Sequence, residues 1–321
     1  MSEIKNGKVI AVCISEKKGT LKTPVNQVEL IENYGLKGDA HAGNWHRQVS
    51  LLSLEKIEEF RAKGANVAFG AFGENMVVSG FDLRNLPVGT RLRIGKTLLE
   101  VTQIGKECHS HCAIYNQTGS CIMPIHGIFA KVLQGGIVKP DDEVELLEAD
   151  PERSFTAAVI TLSDKGAAGL REDTSGPLIS ETLEKKGYEV IESLLLPDGR
   201  PLLEKELCRL ADQRQVNVIF TTGGTGFSER DLTPEATEAV CDRKAPGIAE
   251  AIRMYSLQIT SRAMLSRQTA GIRKKTLIIN LPGSPKACKE DLDFILEPLE
   301  HGLGILRGSA EECGGKADEK N

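Results

Sequence analysis

The pattern of short apolar runs changes character near residue 150, and that change limits the fold more than any other feature of the chain. Before it, strand-like runs at 9–14, 48–52, 75–78, 91–94, 97–104 and 143–147 are punctuated by Gly and Pro, as in Asn85-Leu-Pro-Val-Gly89. One helix is expected over 53–63, with Ser53 as N-cap, Leu54, Ile57 and Phe60 on one face and Gly64 as the stop. Short strands between turn signals predict a mostly-β barrel. After the break, strands at 155–162, 188–196, 216–222 and 276–281 alternate with helices at 178–186, 201–213, 234–241, 248–260 and 285–306. Such alternation predicts a mainly parallel sheet with helices on both faces. The polar stretch Asp150-Pro-Glu-Arg153 marks the boundary, so domains are expected over 1–150 and 151–308, with a disordered polar tail over 309–321.

Charge narrows the partners. Residues 1–150 carry 17 basic and 18 acidic side chains and the rest carries 23 and 27, so neither half has a basic nucleic-acid footprint. No apolar run reaches the roughly 18 residues of a membrane span. The N-terminus mixes Glu3, Lys5 and Lys8 ahead of a strand and lacks the pattern of a secretory signal. Eight Cys in 321 residues are too sparse for a disulfide scaffold. The expectation is a cytoplasmic protein with reduced thiols that binds neither nucleic acid nor membrane.

Chemistry concentrates where strands of the second half end. Thr221-Thr-Gly-Gly-Thr-Gly226 follows the third strand directly, and three glycines there let the backbone approach an anion. Alone the loop reads equally as a tight turn. Asp231-Leu-Thr-Pro-Glu235 follows, with Thr233 as expected N-cap before Pro234. Asp198 ends the second strand. Singly, Asp198 and Asp231 are as readily turn acids. Together beside anion-binding loops they make sense with a divalent cation such as Mg²⁺ between them and phosphates. Loops starting at Ser163 and at Asn280 complete the same sheet edge.

These residues closely resemble the MogA/MoaB-type molybdopterin adenylyltransferases over roughly 154–308. The matching segments are Ile160-Thr-Leu-Ser-Asp164, Asp173-Thr-Ser-Gly-Pro177, Pro197-Asp198, Thr221–Gly226, Arg230-Asp-Leu-Thr-Pro-Glu235, Leu265-Ser-Arg267, Gly271-Ile-Arg273 and Asn280-Leu-Pro-Gly-Ser-Pro-Lys286. The resemblance implies an α/β three-layer sandwich assembled as a homotrimer. It also implies transfer of AMP from MgATP to the terminal phosphate of molybdopterin, with no pyridoxal phosphate. It places the family's two functional acids at Asp198 and Asp231, which would hold Mg²⁺ through phosphates. Substrate binding would fall to Ser163, Asp164, Ser175, Gly176, Thr222, Gly223, Gly224, Thr225, Gly226, Thr233, Ser266, Arg267, Pro282, Gly283 and Ser284.

The first half carries Cys108, His109, His111, Cys112, Cys121 and His126 within one stretch. Their spacing matches no standard zinc knuckle. Three readings stand: a metal site, a reactive Cys108 thiol activated by Lys106 and His109, and small core residues at Cys112 and Cys121. A Gly-rich segment, residues 34–43, offers Lys37 and His41, with Arg47 beyond it, as anion donors or as part of a surface loop. This half resembles the MOSC domain over about 5–147, through Gly35-Leu-Lys-Gly-Asp-Ala-His41, Gln48-Val-Ser-Leu-Leu52, Phe72-Gly-Glu-Asn75, Leu86-Pro-Val-Gly89, Cys108 and Gly127-Ile-Phe-Ala130. The resemblance implies a barrel that binds the molybdenum cofactor or handles sulfur on a Cys, best aligned with Cys108.

The combined expectation is an enzyme of molybdenum-cofactor assembly. ATP and molybdopterin are its substrates, and other assembly proteins or molybdoenzymes its partners. The alternative is a non-catalytic carrier of molybdopterin or the finished cofactor.

Overall fold

A computed structural model describes residues 6–107, 115 and 121–309. The chain divides into two compact units, Met1–Asp150 and Pro151–Asn321. The tail beyond 309, expected to be disordered, lies outside the described residues.

The first unit is a closed barrel. Its strands are β1 (Asn6–Ile14), β2 (Thr23–Val25), β3 (Val28–Ile31), β4 (Gly35–Leu36), β5 (Val49–Ser53), β6 (Met76–Ser79), β7 (Arg91–Ile94), β8 (Thr97–Ile104), β9 (Ile128–Gln134), β10 (Gly136–Val138) and β11 (Glu143–Leu147). The ring runs β11-β7-β8-β9-β5-β6-β1 and closes by β1 pairing back to β11, with β2 added at the side of β1. Closure leaves no open sheet edge in the ring. The period of two decides the core. Leu92, Ile94, Leu99, Val101, Ile128, Ala130 and Val132 point inward to one cluster. Leu52, Val77, Cys13 and Phe129 belong instead to a second cluster with Ile57 and Phe60 of the helix Leu54–Arg61. That helix connects β5 to β6, the one parallel pair of the ring.

Several local expectations shift. Strands expected at 48–52 and 75–78 form one residue later. Ser53 does occupy the N-cap position, but its side chain makes no capping hydrogen bond because it is buried in β5. The strands β2–β4, β9 and β10 went unread.

In the second unit, β12 (Thr156–Leu162), β13 (Glu189–Leu196), β14 (Val218–Thr222), β15 (Arg243–Lys244), β16 (Ala270–Arg273) and β17 (Thr276–Leu281) form one sheet, ordered β13-β12-β14-β17-β16-β15. The first four are mutually parallel. The last two, absent from the sequence reading, add antiparallel at the edge. Alternate residues of β12 go to opposite faces. Ala157 and Val159 pack with the helices Ser175–Lys185, Pro246–Leu257 and Pro285–Arg307, while Ala158, Ile160 and Leu162 pack with Arg200–Asp212 and Thr233–Val240. Because β12, β13, β14 and β17 are parallel, the loops after them share one edge. The chain leaves β12 for β13 on one side and returns to β14 on the other. The crevice between the ends of β12 and β14 is therefore the topological switch point, where open α/β sheets bind ligands.

Candidate active site

A cavity of about 150 Å³ lies at that switch point, lined by Thr161, Ser163, Asp173, Ser175, Gly223 and Gly283 among others. The Gly-rich loop forms its wall for a steric reason. Gly223 has φ +95°, and a Cβ there would sit 2.4 Å from the Leu162 carbonyl oxygen. Gly224 has φ +63°, and a Cβ there would sit 2.4 Å from Thr233 Oγ1. Only glycine brings the backbone this close. Thr233 fastens the loop from the other side: its hydroxyl donates to the Gly223 carbonyl at 2.9 Å and its N–H to Gly224 at 3.2 Å. This corrects the capping expectation, since Thr233 is the first helical residue, Leu232 holds the N-cap position, and the hydroxyl is spent on the loop.

The neighbouring loops are tied to the same wall. Ser175 Oγ donates to the Gly283 carbonyl at 3.0 Å, and Thr222 Oγ1 donates to Pro282 at 2.6 Å. Cys288 also donates to the Pro282 carbonyl, at 2.9 Å. Burial pushes its thiol up to about 11, so it stays protonated and able to donate. Asp173 accepts the N–H groups of Ser175 and Gly176, both at 3.0 Å, and fixes the start of the helix Ser175–Lys185. Ser163 caps the turn Asp164–Ala167 through the Gly166 N–H. Thr161 Oγ1, beneath the cavity, is buried without a hydrogen-bond partner, a polar group suited to a ligand.

The acids form two stations. Asp198 and Asp164 exchange hydrogen bonds, each carboxylate accepting the other's backbone N–H at 3.0 Å. Arg230 pairs with the Asp164 carboxylate, so the loop carrying Asp231 is latched to the Asp164–Asp198 station. The Asp231 carboxylate accepts the Ser228 N–H at 3.0 Å. Asp164 has both oxygens committed to the protein, one to Asp198 and one to Arg230, whereas Asp198 and Asp231 each commit Oδ2, an arrangement that suits Mg²⁺ bound by one or two carboxylates together with substrate phosphates. Among the described residues no group of three or more His, Cys, Asp or Glu forms a protein-only metal cage.

Not every expected substrate-binding residue meets at this cavity. Thr225, Gly226, Ser266 and Pro282 line a neighbouring cavity of about 310 Å³, with Arg253 and Asp291. Arg267 donates to protein groups around the loop from Gly226 to Glu235. Ser284 occupies the N-cap position of Pro285–Arg307 without a side-chain bond. Asp291 carries no signal in the sequence. Asp173 enters it only as the first residue of the segment Asp173-Thr-Ser-Gly-Pro177, with no role, and Cys288 reads there as a core residue, which its burial matches.

The first unit has its own cavity, of about 250 Å³, lined in part by Lys22, His41, Trp45, Arg47, Lys106 and Cys121. Its floor is an ion pair between Lys22 and Asp39, whose side chains are 2% and 1% exposed. Asp39 also accepts the N–H groups of Ser15 at 3.0 Å and His41 at 2.9 Å. Burial alone would raise the Asp39 pKa, but the bonds from His41 and Lys22 win and hold it well below the usual carboxylate range. Arg47 lies over the Trp45 ring, 4.8 Å from its centroid. His41 and Arg47 are thus brought together as expected. Lys37 is not: it is exposed and pairs with Glu29 at 2.6 Å, because β4 turns it away from the cavity. Cys121 is at the cavity, whereas Cys108, His109, His111 and Cys112 lie outside the described residues.

Glu74, fully buried nearby, accepts the N–H groups of Gly70 at 2.7 Å and Phe72 at 3.0 Å, yet burial still pushes its carboxyl up to about 7. The folded state therefore holds this proton more tightly than the unfolded chain does. Its contribution to stability is full below about pH 4.5 and is lost as pH rises towards 7, with a slope of at most about 1.4 kcal/mol per pH unit. Urea unfolding followed by the fluorescence of Trp45, the single Trp of the chain, should show that slope. Glu74→Gln should remove it, and an unchanged slope would place the titration elsewhere.

Comparison with known proteins follows the two units. Residues 158–301 match the family model described as "Probable molybdopterin binding domain", and residues 38–145 match the MOSC domain. A molybdopterin adenylyltransferase of Helicobacter pylori is 42% identical over 153 residues, covering 47% of this chain and 87% of the relative. That of Escherichia coli K12 is 42% identical over 140 residues, covering 43% and 71%. Among solved structures, the molybdopterin biosynthesis enzyme MoaB of Thermus thermophilus has 45% identity and a TM-score of 0.46, covering 48% of this chain and 97% of that one. Through its second unit the chain belongs to the molybdopterin adenylyltransferase family, and its first unit is a MOSC domain.

Proposed function

We propose that the second unit transfers AMP from MgATP to the terminal phosphate of molybdopterin, and that the first unit binds a phosphate-bearing pterin cofactor. The observation that carries the first part is the sheet edge where the parallel strands end: the Gly223 backbone and a buried unpartnered Thr161 hydroxyl line the switch-point cavity, and Asp198 and Asp231, which do not line it, stand in the loops after β13 and β14 on that same edge. The reaction is an in-line displacement: a terminal phosphate oxygen of the pterin attacks the ATP α-phosphorus, and pyrophosphate leaves. No protein nucleophile is required. The chain's task is to align two anionic substrates and lower their mutual repulsion. Bound Mg²⁺, held by Asp231 and Asp198 through the phosphates, would supply the charge neutralisation. The glycine loop lets the backbone lie against the phosphates, and Thr161 and Ser163 offer hydroxyls at the end of β12.

For the first unit, Arg47 and Lys106 bring positive charge to one cavity whose Lys22 is already paired with Asp39, and Trp45 and Phe129 offer aromatic faces. That combination suits an anion carried on a flat heterocycle.

Chelation tests the metal requirement. With EDTA in excess, adenylylated pterin should cease to form and should return when Mg²⁺ is restored. Formation that survives complete chelation would remove Mg²⁺ from the account.

A further inference from the structure

We infer that Arg267 is a positioning residue that fixes the loop carrying Asp231, by gripping that loop at its start, middle and end. The inference rests on the role proposed above for Asp231. The Arg267 backbone N–H donates to the Thr225 carbonyl at 2.9 Å. Its side-chain Nε donates to the Gly226 carbonyl at 2.7 Å, one terminal nitrogen donates to the Asp231 carbonyl, and the other donates to the Glu235 carboxylate. One planar fork thus joins the end of the glycine loop, the acid itself and the first turn of the helix Thr233–Val240.

The grip bears directly on the carboxylate. Gly226 packs so closely on Asp231 that a Cβ there would lie 2.9 Å from Asp231 Oδ2. The same Oδ2 accepts the Ser228 N–H at 3.0 Å. Moving the Gly226 carbonyl therefore moves the surface on which the carboxylate rests. Arg267 in turn stands on a rigid base. It leads into β16, and Thr269 exchanges hydrogen bonds with Asn280 of β17, backbone N–H to side chain at 3.3 Å and backbone to backbone at 3.0 Å. Asn280 also donates to Thr221 Oγ1 at 2.9 Å and Thr237 Oγ1 at 2.8 Å, below the glycine loop and on the following helix. The strut connects the sheet to the acid. A lysine cannot replace it, because one ammonium cannot reach three acceptors in a fork.

The test uses the full chain with Arg267→Ala and Arg267→Lys. Both should lower turnover about 100-fold, the scale of a small misplacement of a reacting group. Both should raise the Mg²⁺ concentration for half-maximal rate about tenfold, as loss of a supporting partner does at metal sites. Molybdopterin affinity should stay unchanged. In ligand-free protein, amide exchange at Ser228 and Asp231 should quicken in both. Ethylguanidinium should restore part of the Arg267→Ala rate, since it returns the fork. Wild-type turnover in Arg267→Ala would overturn the inference. So would pterin affinity falling in step with turnover, which would make Arg267 a pterin ligand. Lost stability with unchanged exchange in the loop and no rescue would reduce it to a general structural role. Asp231→Asn separates the two layers: if it retains full activity, the role of Asp231 fails, whereas an inactive Asp231→Asn beside a normal Arg267→Ala refutes only the strut.

Discussion

Asp231→Asn should cut nucleotidyl transfer by at least about 10³-fold, the scale of losing one charge-stabilising group from a preorganised site, while molybdopterin remains bound with unchanged affinity. The substitution isolates charge. Asn keeps the volume of Asp and an oxygen that can accept the Ser228 N–H now held at 3.0 Å. The Asp231 carbonyl still receives Arg267, and Arg230 still pairs with Asp164. The loop should therefore keep its course, so that only the negative charge proposed to act on the phosphates and their cation is lost. Comparing turnover with pterin affinity measured by fluorescence or calorimetry reads the two apart. A variant that turns over normally would show that the acid serves the loop and not the reaction.

The largest effect on stability is expected at the floor of the first unit's cavity. Lys22→Met should destabilise that unit by about 3–5 kcal/mol, because it leaves the buried Asp39 carboxylate without its cation. Asp39 would keep the Ser15 and His41 N–H groups and the His41 ring, whose Nδ1 lies 3.5 Å away, but none of these is a permanently charged group. For a unit of this size the loss corresponds to roughly 10 °C in Tm. Trp45 lies in this unit and is the only Trp of the chain, so its fluorescence follows this unfolding separately from the second unit. Lys22→Met combined with Asp39→Asn should recover part of the loss, since the second change removes the stranded charge. A single-variant cost below about 1 kcal/mol, the range of exposed pairs, would mean that the pair is solvated in solution.

Which features could be read from the sequence follows from how far apart their causes lie along the chain. The glycine loop was legible because its backbone requirement is local: Gly223 and Gly224 adopt left-handed backbone, which only glycine does cheaply, although the neighbours they approach, Leu162 and Thr233, lie elsewhere in the chain. Three of the four parallel strands, β12, β14 and β17, were legible for a similar reason, since each is a short apolar run buried on both faces, whereas the edge strand β13 is only half-buried and showed through its Val190-Ile191 and Leu194–Leu196. Thr233 was misread because Thr before Pro predicts a cap, and nothing local shows that its hydroxyl reaches back ten residues to Gly223. Lys22 was invisible for a stronger version of the same reason. As a single charge between Leu21 and Thr23 it reads as surface, and only the pairing of β2 with β1 and the bond from its N–H to the Gly70 carbonyl bring it to Asp39 and away from water. Lys37 is the mirror case, lying in a suggestive motif yet pointing outward to Glu29. Arg267 was picked out by resemblance as a substrate contact, but the direction of a guanidinium depends on three carbonyl and carboxylate oxygens spread over residues 226–235. The edge strands β15 and β16 are two and four residues long, too short to leave a pattern above their turns.

The central claim is that the second unit catalyses transfer and does not merely hold pterin. The most direct measurement gives the purified full chain molybdopterin and MgATP labelled at the α-phosphorus, then follows the label. The account predicts label on the pterin and one pyrophosphate released for each pterin modified. Tight pterin binding with all label remaining in ATP would contradict it and leave a carrier.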